Sequence, residues 1–272
     1  MSEFSTDCAP VTVIKIGGSI LRNARAYGRV ADFFRNCHLA SPHERLVVVV
    51  SAQEGATDAL ERVAKKIVHN ANRAALDLLW STGELRSVAF LTLHLQALGI
   101  RAAGLNIHEA GLTPPENDSS ADPGNIRLDA KRLRGVLANH RVVVVPGFFS
   151  SNSAHTVVSL GRGGSDLTAV LLASGLNASR CELIKDVPGY FTRDPHRDAS
   201  TLPVPSLTFE QALQLADDGC DLVQRKAIEA AARCNLPLII RSLDENAPFT
   251  RVAEAETETR WSDSVASIAA AP

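Results

Sequence analysis

Three stretches of this chain set small, permissive residues beside a charge, at spacings suited to holding an anion. The first runs from Leu160 to Ala173, LGRGGSDLTAVLLA, where a glycine turn leads into an apolar helix. Gly161, Gly163 and Gly164 can take positive φ and let a ligand approach the backbone, Ser165 or Asp166 can cap the helix, and the first N–H groups point outward with the positive end of the helix dipole. Phosphate suits such a junction, and a capped tight turn is the plainer reading. The second stretch is VTVIKIGGS, in which Lys15 closes an apolar run just before Gly17, Gly18 and Ser19. Its ammonium either reaches across the turn as a point charge or snorkels to solvent. The third is SAQEGATD, Ser51 to Asp58, which follows the run RLVVVV. Farther on, Glu84 comes directly after Ser81-Thr82-Gly83, and its carboxylate either caps a helix that restarts there or faces a cleft and binds an ammonium group.

The composition narrows the partners. The chain has 272 residues, 45% hydrophobic and 21% charged, with a net charge of −2. That is ordinary for a globular protein of one large α/β domain or two lobes. Charges of both signs are mixed and no basic run occurs, so neither nucleic acid nor an anionic membrane has electrostatic support as a partner. No stretch approaches the roughly 18 apolar residues of a membrane span, and MSEFSTDCAP lacks the basic and apolar segments of a signal peptide. A cytoplasmic protein is expected. Cys8, Cys37, Cys181, Cys220 and Cys234 are scattered without a CxxC, which predicts buried reduced thiols. The eight histidines do not cluster either, so no protein-bound transition metal is expected.

These residues need elements to position them. Strands are expected at Val11 to Ile16, Arg45 to Val50, Arg101 to Leu105, Arg141 to Val145, Cys181 to Ile184 and Leu236 to Arg241, most of them apolar throughout, as in strands buried on both faces. Helices are expected at Tyr27 to His38, Ala59 to Asn70, Arg73 to Leu98 with a break near Ser81-Thr82-Gly83, Leu128 to Asn139, Ser165 to Gly175, Phe209 to Asp218 and Asp221 to Ala232. Glu109 to Asn125 is a long polar loop of the kind that forms lids. The alternation of strand and helix predicts an α/β fold, a three-layer αβα sandwich on a mainly parallel sheet. The glycine loops all follow strand ends, the edge at which open parallel sheets bind ligands.

The motifs taken together resemble the catalytic domain of aspartokinases, within the amino acid kinase superfamily, over roughly Val11 to Val252. KIGGSIL is similar to K-F-G-G-[TS], SAQEGATD to S-A-M-x-G-V-T-D, STGELRS to S-x-G-E-x-x-S, LGRGGSDLTA to G-R-G-G-S-D-x-T-A, and DVPGYFTRDP to D-V-x-G-[IV]-Y-T-x-D-P. The resemblance implies ATP-dependent phosphorylation of the side-chain carboxylate of L-aspartate, with Mg2+, in a homodimer. It implies an acceptor-binding lobe over 10–155, a nucleotide-binding lobe over 156–252 and a tail over 253–272. Lys15, Gly17, Gly18 and Ser19 would hold the transferring phosphate, and Asp166 would orient the lysine and metal side. Ser51, Ala52, Thr57, Glu84, Arg162, Gly163, Gly164 and Ser165 would form the amino-acid pocket. Lys185, Asp186, Val187, Phe191 and Asp194 would border the nucleotide.

Departures from the pattern matter as much. Where the family reads G-A-K-V-[LI]-H-P, this chain has Gly219-Cys220-Asp221-Leu222-Val223-Gln224-Arg225, so a carboxylate replaces a phosphate-binding lysine. Arg225, expected one helical turn on, is the candidate replacement cation at the nucleotide. Phe191 stands in place of a tyrosine. Aspartokinases commonly continue into regulatory ACT domains, and a standalone form is expected here. Two other readings stay open: a kinase for another small amino acid or carboxylate, and a pseudokinase that binds nucleotide or metabolite as a partner subunit.

Overall fold

The computed structural model describes residues 10–37, 43–114, 125–161, 163–193 and 200–255. In chain order these residues form β1 (Val11–Ile16), α1 (Ala24–Cys37), β2 (Arg45–Val50), α2 (Ala56–Ile67), α3 (Arg73–Ala97), β3 (Ala102–Gly104), α4 (Ile107–Ala110), β4 (Leu112–Thr113), β5 (Arg127–Leu128) and α5 (Ala130–Asn139). They continue with β6 (Val142–Pro146), β7 (Phe149–Ser151), β8 (Val157–Ser159), α6 (Gly164–Leu176), β9 (Cys181–Ile184), β10 (Ser206–Thr208), α7 (Phe209–Asp217), α8 (Arg225–Arg233), β11 (Leu238–Arg241) and β12 (Thr250–Ala253).

Eight strands make one sheet in the order β10-β12-β11-β9-β1-β2-β6-β3. Its pairings are parallel except that of β11 with β12. Side chains alternate across a strand, so the apolar runs of the inner strands feed two cores at once. Val13, Val47, Val49, Val143 and Leu183 face one side and pack with Leu167 and Val170 of α6, Leu133 of α5 and Ile228 of α8. Ile14, Ile16, Val48, Val50 and Val144 face the other, against Tyr27 and Phe34 of α1 and Leu91 and Leu95 of α3. These side chains are fully buried, each contributing about 1.5–3 kcal/mol of transfer free energy. The expected three-layer architecture is thereby formed, and no helix among the described residues is long and apolar enough to cross a membrane.

Several boundaries differ from the sequence reading, each for a local reason. The helix expected to break at Ser81-Thr82-Gly83 runs unbroken from Arg73 to Ala97. The hydroxyls of Ser81 and Thr82 donate back to the carbonyls of Leu78 and Leu79, both at 2.7 Å, so these polar residues are satisfied inside the helix. Gly83 is there because a Cβ would stand 3.0 Å from that of Ala52. The helix N-terminus is capped by the Asn72 side chain, which accepts from the Ala74 N–H. Helix α8 begins at Arg225, after a turn over 221–223, and not at Asp221. The short β7–β8 hairpin, β10 and the antiparallel β12 were not anticipated. Residues 115–124 of the expected lid and 256–272 of the expected tail lie outside the described residues. Cys181, Cys220 and Cys234 are free thiols, but only Cys181 is buried as expected; Cys220 is partly buried and Cys234, at the C-terminal end of α8, is exposed.

Candidate active site

The carboxyl ends of the central strands hand the chain into loops at one edge. Ser51 N–H donates to the Ile16 carbonyl at 3.1 Å, and Gly147 N–H to that of Val50 at 2.9 Å, so the turns after β1, β2 and β6 step side by side. Gly18 sits where a Cβ would come within 2.8 Å of the Ala52 carbonyl oxygen, which leaves room only for hydrogen. Behind this edge lies a cavity of about 350 Å³.

One wall is cationic. In the parallel pairing of β1 with β9, Lys15 lies opposite Leu183, and Lys185 follows two residues later on the same face. Asp166, in the first turn of α6, reaches both. Its Oδ1 is 2.7 Å from the Lys15 Nζ, and its Oδ2 accepts from the Lys185 Nζ at 2.8 Å. Burial alone would raise the Asp166 carboxyl, but the two ammonium groups overcome it and hold the acid well below the usual carboxylate range. Burial pulls Lys15 below its ordinary value, with Lys185 adding to that and Asp166 opposing it. The bridge is one carboxylate between two cations, so it carries a net positive charge into the cavity.

The opposite wall is different in kind. Glu84 projects from the middle of α3 and is 4% exposed. Its Oε1 accepts from the Ala52 N–H at 3.3 Å, while its Oε2 is buried without a hydrogen-bond partner among the described residues. Burial raises this carboxyl to about 7. An unsatisfied buried oxygen of this kind costs on the order of 1–3 kcal/mol, and an arriving cation that donates to it would recover that cost. The cap proposed for Glu84 is therefore ruled out, because the helix does not restart there.

Between the walls, Ser51 enters from the β2–α2 loop, Thr57 from the first turn of α2, and Gly163, Gly164 and Ser165 from the N-cap and first turn of α6. Gly163 takes φ of 73° as the N-cap of α6. A Cβ on Gly163 would come 2.0 Å from the Gln224 Cγ, so that side chain covers the turn. Gly147 permits the same closeness to Ser165, whose Cβ would be 2.7 Å away. Phe148, Asp221 and Gln224 complete the lining. Phe148 and Gln224 were not read as site residues; a clue for Gln224 was its place in the segment that departs from the family pattern.

Other expected residues are placed elsewhere. Gly17 and Ser19 form the turn beside Lys15 without lining the cavity, and Ala52 is buried with its N–H on Glu84. Asp186 is exposed; Val187 and Phe191 are partly buried outside the lining, Phe191 bridging to Pro203. Arg162 and Asp194 lie outside the described residues. Arg225 does not replace the missing cation here. Starting a new helix after a turn carries its guanidinium to Asp217, which it pairs at short range, and to Glu229 at 2.9 Å. Asp221 thus faces the cavity without it.

The donor set suits a phosphate group. Two ammonium groups and a small-residue edge can take phosphate oxygens, while no group of three metal-binding side chains occurs among the described residues.

The chain is similar to known proteins over most of its length. The aspartokinase of Geobacillus stearothermophilus is 35% identical over 244 residues, covering 90% of this chain and 59% of the relative. The crystal structure of aspartate kinase from Synechocystis superposes with a TM-score of 0.75 at 32% identity, covering 92% of this chain and 40% of that one. The structure of E. coli aspartokinase III in complex with aspartate and ADP gives 0.72 at 25% identity, covering 91% and 65%. The chain spans about three fifths of the length of the curated relatives it matches. The profile of the amino acid kinase family matches residues 10–242, nearly the whole described sheet, and the chain belongs to that family.

Proposed function

We propose that this chain is the catalytic unit of an ATP-dependent kinase that phosphorylates the side-chain carboxylate of L-aspartate, giving 4-phospho-L-aspartate. The observation that carries the reading is the division of the cavity between the Lys15–Asp166–Lys185 bridge and the unpartnered Oε2 of Glu84. An acceptor carboxylate oxygen forms a bond to the γ-phosphorus while the bond from that phosphorus to ADP breaks, the departing oxygen keeping the electron pair. The acceptor is already ionised at neutral pH, so no proton must be removed and no general base is needed. The work left to the protein is positioning and charge neutralisation. Lys15 and Lys185 would offset charge on the transferring group, and Asp166 keeps both ammonium groups aimed.

Glu84 would take the α-ammonium of the acceptor, with Ser51, Thr57 and Ser165 fixing its register. Arg162 is the proposed partner of the α-carboxylate, since a guanidinium can grip it with two parallel hydrogen bonds. Asp186, Val187, Phe191 and Asp194 would border the nucleotide, which brings Mg2+ with it. Residues 10–155 would serve the acceptor and 156–252 the nucleotide, and the family likeness carries the reading of a cytoplasmic homodimer. The aspartokinase relatives and the aspartate and ADP of the E. coli complex support this choice of substrates.

Asp221 favours a second reading. A carboxylate lining the cavity, with Arg225 paired elsewhere, opposes a polyphosphate, as expected of a partner subunit that has given up turnover. An ADP-release assay across a panel of amino acids, with hydroxylamine trapping the acyl phosphate, tests both. Aspartate-dependent ADP and trapped hydroxamate are the expected result, and another amino acid in that role would rename the acceptor. No turnover with any acceptor, and no ATP affinity at millimolar Mg2+, would leave the second reading.

A further inference from the structure

We infer that Asp77 is a positioning residue for the acceptor half of the site, which it serves by clamping the β7–β8 hairpin to the helix that carries Glu84; this rests on the kinase reading above. Asp77 lies seven residues before Glu84 in α3, two helical turns away on the same face. It is 3% exposed and takes no part in the cavity lining. Its Oδ1 accepts from the Arg73 Nε at 2.9 Å, and its Oδ2 accepts from the backbone N–H of Ser159 at 3.2 Å. Arg73 closes the ring by donating through Nη2 to the Ser159 hydroxyl. One carboxylate therefore fixes a side chain of its own helix and the backbone of a strand distant in sequence.

The place of that strand gives the ring its consequence. Ser159 ends β8, opposite Phe149 of β7. On the next step Leu160 N–H donates to the Phe148 carbonyl at 2.7 Å, and Phe148 is part of the cavity wall. The chain then enters the glycine turn, whose Gly163, Gly164 and Ser165 line the cavity. The hairpin is short, three residues to a strand, and such a unit has little register stability of its own. Asp77 supplies a directional anchor that an apolar contact would lack, because two oxygens in fixed geometry set both the height and the rotation of the strand end. Glu84 and the glycine turn are then referenced to one rigid helix. A slip of about 1 Å between them would be enough to cost on the order of a hundredfold in a positioned reaction.

The test compares Asp77→Ala, Asp77→Asn and Ser159→Ala with Leu137→Ala, a buried core change on α5 that lowers Tm without touching the ring. Asp77→Ala is expected to raise KM for L-aspartate roughly ten- to a hundredfold while KM for ATP stays within about twofold. Asp77→Asn, which keeps one acceptor oxygen, is expected to recover part of that loss, and Ser159→Ala to show a smaller rise in the same direction. Leu137→Ala should keep both parental KM values at a matched loss of Tm. A lower Tm with unchanged aspartate KM in Asp77→Ala, or an equal rise in both KM values, would overturn the inference. If Asp77→Ala does not fold, Asp77→Asn and Ser159→Ala decide it on the same readout, and parental aspartate KM in both overturns it. A parent without turnover sinks the kinase reading alone, and hydrogen exchange then decides the clamp. Faster exchange across 160–166 but not in β9 on replacing Asp77 supports it, and unchanged exchange there overturns it.

Discussion

The two walls of the cavity treat charge in opposite ways. At Lys15, Asp166 and Lys185 each group already has its counter-ion, within 2.8 Å, before any ligand enters. At Glu84 an equally buried carboxylate has one long hydrogen bond and an oxygen with none among the described residues. A paired wall stays in shape through a catalytic cycle, because its desolvation cost is met internally. An unpaired wall keeps its cost outstanding until the right cation arrives, so it selects what binds. On the kinase reading, the difference gives shape-holding to the phosphate side and selection to the acceptor side.

Breaking the paired wall should have the largest effect. Lys15→Met keeps the stem and removes the charge, and is expected to lower kcat about 10²–10³-fold, with Tm changed little because Lys185 still holds Asp166. Steady-state rates together with thermal unfolding check both parts, and parental turnover would show that the wall is only structural. Breaking the unpaired wall with Glu84→Gln should lower kcat/KM for the acceptor by roughly thirtyfold to a thousandfold, about 2–4 kcal/mol, while ATP affinity measured by titration remains parental. Loss of ATP affinity in that variant would mean that the walls do not divide the ligands as proposed.

The comparison also predicts a pH dependence arising at the unpaired wall. Burial puts the folded-state value of Glu84 at about 7, above the 4.5 of an unperturbed glutamate. The empty protein therefore holds that proton more tightly than the unfolded chain does. The associated stability is fully present below about 4.5 and is lost as pH rises through about 7, amounting to on the order of 3 kcal/mol. Urea unfolding from pH 4.5 to 7.5 should show this loss in the parent and not in Glu84→Gln; identical slopes would remove the premise. Acceptor affinity should move the other way, tightening as the carboxylate ionises. The smallest effect is expected at Asp221, an exposed group on the rim. Asp221→Lys should tighten ATP by less than about tenfold, read by titration at fixed Mg2+, and weaker binding would instead indicate that Asp221 recruits the metal.

What could be read from the sequence follows from how uniquely a pattern maps onto an environment. RLVVVV and CELI were placed to the residue, since short, mainly apolar runs of that length fit a strand covered on both faces. Lys15 was legible because a charge near the end of such a run has few places to go, and Asp166 because it follows a glycine turn at the start of an apolar helix. Ser81-Thr82-Gly83 misled for the opposite reason: hydroxyls and glycine read as a break, whereas the hydroxyls bond back to Leu78 and Leu79 and the glycine makes room for Ala52. The β7–β8 hairpin, built from FSS and VVS, carries no periodicity that distinguishes it from loop. The turn before α8 contains neither proline nor glycine between Asp221 and Gln224, so nothing local shows that Arg225 points away. The pairing of Asp166 with two lysines at once depends on strand order, which no local pattern contains.

That strand order bears on when activity can arise during synthesis and refolding. β1 lies beside β9 at the middle of the sheet, yet nearly two thirds of the chain separates them in sequence. Closing so long a loop is slow, because its entropy must be given up before the strand contacts reward it. Lys15 and Lys185 stand on the two sides of that late seam. A nascent or partly folded chain can hold β1, β2, β6 and the Glu84 helix in place and still have no cation bridge. On the proposed reading, the phosphate-holding bridge therefore forms only once β9 has joined β1.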